Sequence, residues 1–154
     1  MIIYGSKSSL GLGISQDGYG TSFSFHVKGN GENNDKSSIN LSSADLMQFI
    51  KIFKETRQFS LVRSYLNTRV QPNRPEQKYM NIKPNDDGSY FCTYSHKAGS
   101  NGEMTLYSFS LKITEDWMRV LYMAMEKCLH ITLENDLKRF IGKGGDDAKT
   151  STYN

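Results

Sequence analysis

Between residues 21 and 28 the chain alternates: "TSFSFHVK" puts Phe23, Phe25 and Val27 on one side of an extended backbone and Ser22, Ser24, His26 and Lys28 on the other. A period of two marks a strand with one buried face. The stretch "KYMNIKPNDDGSYFCTYSHKAGSNGEMTLYSFSLK" reads as strand, turn, strand, turn, strand, with Asp87-Gly88 and Asn101-Gly102 at the reversals. Those dipeptides tolerate the positive φ angles of tight turns. Elsewhere the period becomes helical, at Leu46, Phe49, Ile50 and Phe53, and at Trp117, Val120, Leu121, Ala124 and Cys128. Ser43 and Thr114 stand before these runs, each followed two residues on by an acid, Asp45 and Asp116. This predicts two hydroxyl-capped helices, each laying one apolar face on a sheet.

The order is doubled. "SSINLSSADLMQFIKIF" at 37–53 and "SFSLKITEDWMRVLYMAM" at 108–125 each give strand, cap and helix. The pattern predicts an α+β fold of two repeats, about 1–57 and 76–133, each of antiparallel strands followed by a helix. Residues 58–75, with two prolines and several arginines, read as a connector with some order around Phe59, Leu61, Val62 and Leu66. At 154 residues one domain is expected, covering 1–141. The segment 142–154, "GKGGDDAKTSTYN", lacks apolar spacing and predicts a disordered tail. Met118, Leu121, Tyr122, Met123, Met125 and Leu129 spread beyond one stripe, which predicts that the second helix is covered on several sides, as in a homo-oligomer.

Charge and candidate chemistry narrow the function classes. With 19 Lys and Arg against 16 Asp and Glu, the net charge of +3 permits a polyanionic partner without requiring one. No stretch approaches a membrane span, and the N-terminus carries neither a basic leader nor an apolar signal core, which predicts a cytoplasmic protein. A trimmed presequence would instead place it in an organelle. Cys92 and Cys128 lie in apolar contexts without metal-ligand spacing and read as buried free thiols. His26, His96 and His130 are scattered, and Asp86-Asp87 sits in a turn sequence. No nucleophile–base pair or metal constellation is present in the sequence, so no enzyme, cofactor or metal is expected.

Aromatics and cations on strands are more informative. Tyr90 and Tyr94 share one strand face, Tyr19 and Tyr79 flank predicted strands, and Lys7, Lys28, Lys83 and Lys97 lie on or beside them. Stacking rings with nearby cations form a platform for unpaired bases and their phosphates. Core packing is the competing reading for each ring.

The segment "IYGSKSSL" resembles the hallmark of the Whirly family of plant single-stranded-DNA-binding proteins, a tyrosine followed by lysine-glycine-lysine-alanine-alanine-leucine. Tyr4, Lys7 and Leu10 are in register, while Gly5, Ser6, Ser8 and Ser9 replace the first lysine, the glycine and both alanines. "INLSSADLMQFI" and "NIKPNDDGSYFCTYS" resemble the family's capped helix and its Pro-Asp-Gly-Ser-like hairpin, so that the similarity covers nearly all of residues 2–131. The wider resemblance is to the positive-cofactor-four-like fold shared with kinetoplastid mitochondrial RNA-binding proteins. It implies two four-stranded antiparallel sheets packed with a helical core, a fourfold pinwheel of subunits, and strands of nucleic acid running across the sheets. On this reading Lys7 meets a phosphate as a point charge, and Ser6, Ser8 and Ser9 let the backbone approach and donate hydroxyls. The plainer alternative is an edge lysine that discourages aggregation.

The expected function is sequence-tolerant binding of single-stranded DNA in replication, recombination or repair, through Tyr4, Lys7, Ser9, Tyr19, Lys28, Tyr79, Lys83, Tyr90, Tyr94 and Lys97. An RNA-binding or annealing protein is one alternative, and a transcription coactivator or protein-interaction scaffold another. The Asn- and Ser-rich composition points to a bacteriophage or other microbial source, and hence to a host cytoplasm.

Overall fold

The computed structural model describes residues 1–15, 20–28 and 35–150. Among the described residues, four strands precede the first helix: β1 (Ile2–Tyr4), β2 (Ser8–Ile14), β3 (Thr21–Val27), β4 (Asp35–Leu41) and α1 (Ser43–Thr56). Four more precede the second: β5 (Phe59–Asn67), β6 (Arg74–Pro84), β7 (Tyr90–Ala98), β8 (Met104–Ile113) and α2 (Glu115–Thr150). Each quartet forms an antiparallel sheet in sequential order, β1-β2-β3-β4 and β5-β6-β7-β8. Hairpins joined in sequence need only short turns, and Gly88 and Gly102 supply the positive φ at two of them (82° and 62°).

The two sheets face one another through rings. Phe25 of β3 stacks on Tyr94 of β7 with centroids 3.9 Å apart, and Phe109 of β8 meets Phe25 edge-on at 5.1 Å. Hydrogen bonds pin the same junction: Tyr94 Oη and Ser37 Oγ lie 2.8 Å apart, and the Tyr107 hydroxyl donates to the Phe25 carbonyl at 2.9 Å. Lys78 reaches from β6 to donate to the Ser38 carbonyl at 2.8 Å, and burial there pushes its ammonium pKa down. Leu46 and Phe49 of α1, and Met118, Leu121 and Met125 of α2, close the same core.

Several details depart from the sequence reading. The cap of α1 is Ser42: its hydroxyl accepts from the Asp45 amide while the Asp45 carboxylate accepts from the Ser42 amide, a reciprocal box that Ser43, one residue inside the helix, cannot make. Ser43 instead donates to Asp136 of α2 at 2.9 Å. Thr114 keeps its expected place, accepting from the Trp117 amide. The connector at 58–75 contains a full strand, because Phe59 and Leu61 alternate into the core and pair with Ile82 and Met80. On α2 the buried face runs through Met118, Leu121, Met125 and Cys128, and leaves Trp117 and Val120 exposed. The helix backbone continues past Gly142 to Thr150, where a tail is expected from the sequence. Extending an existing helix needs no new nucleus. Residues 151–154 lie outside the described residues.

Cys92 and Cys128 are buried and free, and burial pushes the Cys92 thiol up to about 12. A buried polar cluster occupies the inner face of the second sheet. Glu76 Oε1 accepts from the Tyr65 hydroxyl at 3.0 Å and lies 2.7 Å from His96 Nε2. Its Oε2 accepts from Asn67 at 2.6 Å and from Arg74 Nη2 at 3.0 Å. Burial alone would raise this carboxyl, but the bonds from Asn67, Arg74, Tyr65 and His96 outweigh it and lower the pKa from an ordinary 4.5 to about 2. The pKa of Tyr65 moves the other way, raised by burial and by Glu76 to about 12.

A carboxyl lowered on folding stabilises the protein above its unfolded pKa and loses that stabilisation as pH falls through its folded one. Urea midpoints measured at stepped pH should therefore fall as pH drops from 4.5 towards 2, the two ends of the Glu76 shift. Glu76→Gln should be less stable at neutral pH and lose less over that interval; equal losses would remove Glu76 as the source.

Candidate nucleic-acid interface

Because strand side chains alternate, each sheet has an outer face complementary to its packed one. On the first sheet, cross-strand register aligns Tyr4, Ser9, His26 and Lys36 in a row across all four strands. Lys7 lies just outside β2, in the turn joining β1 to β2, and its carbonyl accepts from the Lys28 amide at 2.8 Å. Tyr4, Lys7, Ser9 and Lys28, all expected from the sequence, line one shallow cleft of about 300 Å³ together with His26. Tyr4 is 76% exposed, a ring held out from the sheet.

This cleft abuts the second sheet. Ser8 donates its hydroxyl to the Ser110 carbonyl on β8 at 2.9 Å. A Cβ on Gly5 would come within 2.5 Å of Leu111 Cδ1, so the hairpin tip packs closely against β8.

On the second sheet's outer face, strand register aligns several rows, three of which carry rings or cations or lie beside them. Val62, Tyr79, Ser95 and Ser108 form one, and Ser64, Gln77, Lys97 and Thr105 another. The third places Phe91 between Lys83 on β6 and Lys112 on β8. Phe91 is 43% exposed, and Val62 and Leu66 are exposed on the same face. Lys112 donates to Asp87 at 2.7 Å, and this bond, with those from Ser89, holds the Asp87 carboxyl well below the usual range. Lys83 and Lys97 are exposed.

Two expected stacking residues do not belong here. Tyr90 and Tyr94 are 4% and 1% exposed: they share a face, as the alternation predicts, but it is the inner one. Phe91, missed in the sequence reading, is the ring on the outer face. Its signal is Cys92, an apolar residue between the two tyrosines on their side of the strand, which marks that side as buried and the Phe91, Thr93, Ser95, Lys97 side as open. Lys36, which no sequence pattern marks, completes the outer row of the first sheet. Tyr19 lies outside the described residues.

No family model matches the sequence, and no curated protein matches it. Solved structures do. WHY3 from Arabidopsis thaliana superposes with a TM-score of 0.65 at 15% identity, over 95% of this chain and 95% of that one. WHY1 from Arabidopsis thaliana gives 0.64 at 15%, over 96% and 91%. The plant transcriptional regulator PBF-2 gives 0.63 at 15%, over 91% and 86%. The chain has the Whirly fold, as the resemblance around Tyr4, Lys7 and Leu10 implies.

The reassignment of the rings can be tested by stability alone. Tyr94→Ala should cost about 3–5 kcal/mol, as for other buried aromatics, whereas Phe91→Ala should stay within about 1 kcal/mol of the parent, in the range of exposed-site changes. Chemical denaturation of both variants checks this; equal losses would return Phe91 to the core.

Proposed function

We propose that this protein binds single-stranded nucleic acid across the outer faces of its two sheets, with single-stranded DNA as the leading ligand and little sequence preference. The observation that carries the reading is the row Lys83, Phe91, Lys112, an exposed ring between two cations on adjacent strands. A ring stacks any base, and a lysine on either side meets the phosphates that flank it. The Tyr4, Lys7, Lys28 cleft continues the track where the Ser8–Ser110 bond joins the sheets. Its serines and backbone amides position a strand without reading bases. The likeness to the Whirly proteins supports the same surface. Protection or organisation of strands in replication, recombination or repair is the cellular role that such binding serves, with no catalysis required.

The second part of the reading is self-association. Leu133, Leu137, Phe140 and Ile141 are all exposed at helical spacing along α2, a stripe that another copy of the helix pair would cover. A homo-oligomer, a tetramer on the Whirly pattern, follows. Sedimentation velocity should show a closed oligomer that Leu137→Lys with Phe140→Lys dissociates; a monomeric parent would end this part of the reading.

Fluorescence anisotropy with matched single-stranded DNA, duplex DNA and single-stranded RNA at two salt concentrations tests the first part. Single-stranded DNA should bind most tightly and weaken with salt. Phe91→Ala should cost about 1–3 kcal/mol of binding. Lys7→Ala or Lys83→Ala should make the salt slope shallower by about 0.7 for each phosphate that is no longer neutralised. Preference for RNA would select the RNA-binding alternative, and no binding to any strand would favour a protein-interaction scaffold.

A further inference from the structure

A second cavity, of about 370 Å³, opens away from the outer sheet faces, where the last turn of α1 passes the first turns of α2. Its floor is aromatic: Phe53 lies 5.5 Å from Tyr90 and 6.1 Å from Tyr122 between ring centroids. Its rim is cationic, with Lys54, Arg57 and Arg119 against the single carboxylate of Glu115. Glu115 is spent on Arg119 at 3.0 Å, and Lys54 Nζ sits 5.9 Å from the centroid of the Tyr122 ring.

Two features of the walls are not explained by packing. Arg57 ends α1 in the left-handed conformation, φ 54°, where glycine is the favoured residue. Its backbone amide alone makes the capping bond, to the Phe53 carbonyl at 3.0 Å, so the guanidinium is not needed to stop the helix. A non-glycine residue in this conformation carries a strain that the surrounding structure has to hold. The Tyr122 hydroxyl is buried with no hydrogen-bond partner among the described residues, so this wall is left short of its full polar complement.

We propose that this cleft binds a nucleoside 5′-monophosphate, free or at the end of a strand, with the base against Phe53 and Tyr122 and the phosphate on Arg57 and Lys54. The volume suits one nucleotide and falls in the range of small-ligand sites. Flat rings favour a planar base over aliphatic anchors. Arginine and lysine together provide a forked and a point contact for phosphate. The inference does not depend on binding at the sheets.

The test is a titration of the isotope-labelled full chain with dAMP, followed by backbone amide shifts, with deoxyadenosine and inorganic phosphate as controls. Saturable shifts at Lys54, Arg57, Arg119 and Tyr122 are expected with dAMP, at least tenfold weaker with either control. Arg57→Gly removes the guanidinium while relieving the left-handed φ, so it should fold at least as well as the parent and bind dAMP at least tenfold more weakly. Cleft shifts with a 5′-phosphorylated octamer but not with its 5′-hydroxyl twin would identify a strand end as the source; shifts with dAMP alone would identify the free nucleotide. Parent-like binding by Arg57→Gly, equal shifts with inorganic phosphate, or shifts confined to the outer sheet faces would overturn the proposal.

Discussion

The stack of Phe25 on Tyr94 is the contact on which the remaining architecture depends. Among the described residues the two four-stranded sheets share no ladder of backbone hydrogen bonds, so their relation is set by side chains. Phe25 and Tyr94 set it with the largest flat surfaces available, and Ser37 and Tyr107 fix the rotation about that stack by hydrogen bonds. The helices then fill the flanks of a junction that the rings define. Lys78, whose ammonium crosses to Ser38, shows how closely the sheets meet: its charge is held in the seam by the Ser38 carbonyl, the Glu76 carboxylate and the Tyr65 ring.

From this junction the position of the surface follows. With the inner faces committed to one another, the outer faces are the ones free to carry rings and cations, and the Ser8–Ser110 bond brings the edge of one against β8 of the other. The Glu76 cluster works beneath this surface. It ties β5, β6 and β7 together through Tyr65, Asn67, Arg74 and His96 on the face opposite Gln77 and Lys97. Charge is thus handled differently on the two sides of one sheet, gathered into the Glu76 cluster inside and exposed to solvent outside, where Lys83 and Lys97 stand and Lys112 meets Asp87.

The strands, the turns at Gly88 and Gly102 and the two helices were legible because their periods and turn residues are local. Tyr4, Lys7, Ser9 and Lys28, named from the sequence on separate grounds, share one cleft because hairpin pairing sets β1, β2 and the end of β3 side by side. What was not legible depends on parity or on distance along the chain. Tyr94 and Lys97 differ by an odd number, so they take opposite faces and cannot share one platform. Ser42 and Ser43 are chemically equal as caps, and only the reach of Asp45 separates them. Convergence of Asn67 and His96 on Glu76 is set by strand pairing, which no linear spacing announces. The strand within the connector was hidden by its arginines: Arg63 there pairs with Asp45 of α1, a partner far away in sequence.

Phe91 sits between Tyr90 and Cys92, both locked in the core, and its backbone is paired on both sides, to Lys83 and Lys112. Its backbone is fixed by the sheet, so on the proposed reading only the side chain would still have to be ordered when a base stacks on it. The arrangement also separates two kinds of inheritance. On β7 the even positions from Tyr90 to Ala98 are committed to the core and the Glu76 cluster, whereas the odd positions lie on the outer face. A strand built this way can change its outer residues without relearning how to fold.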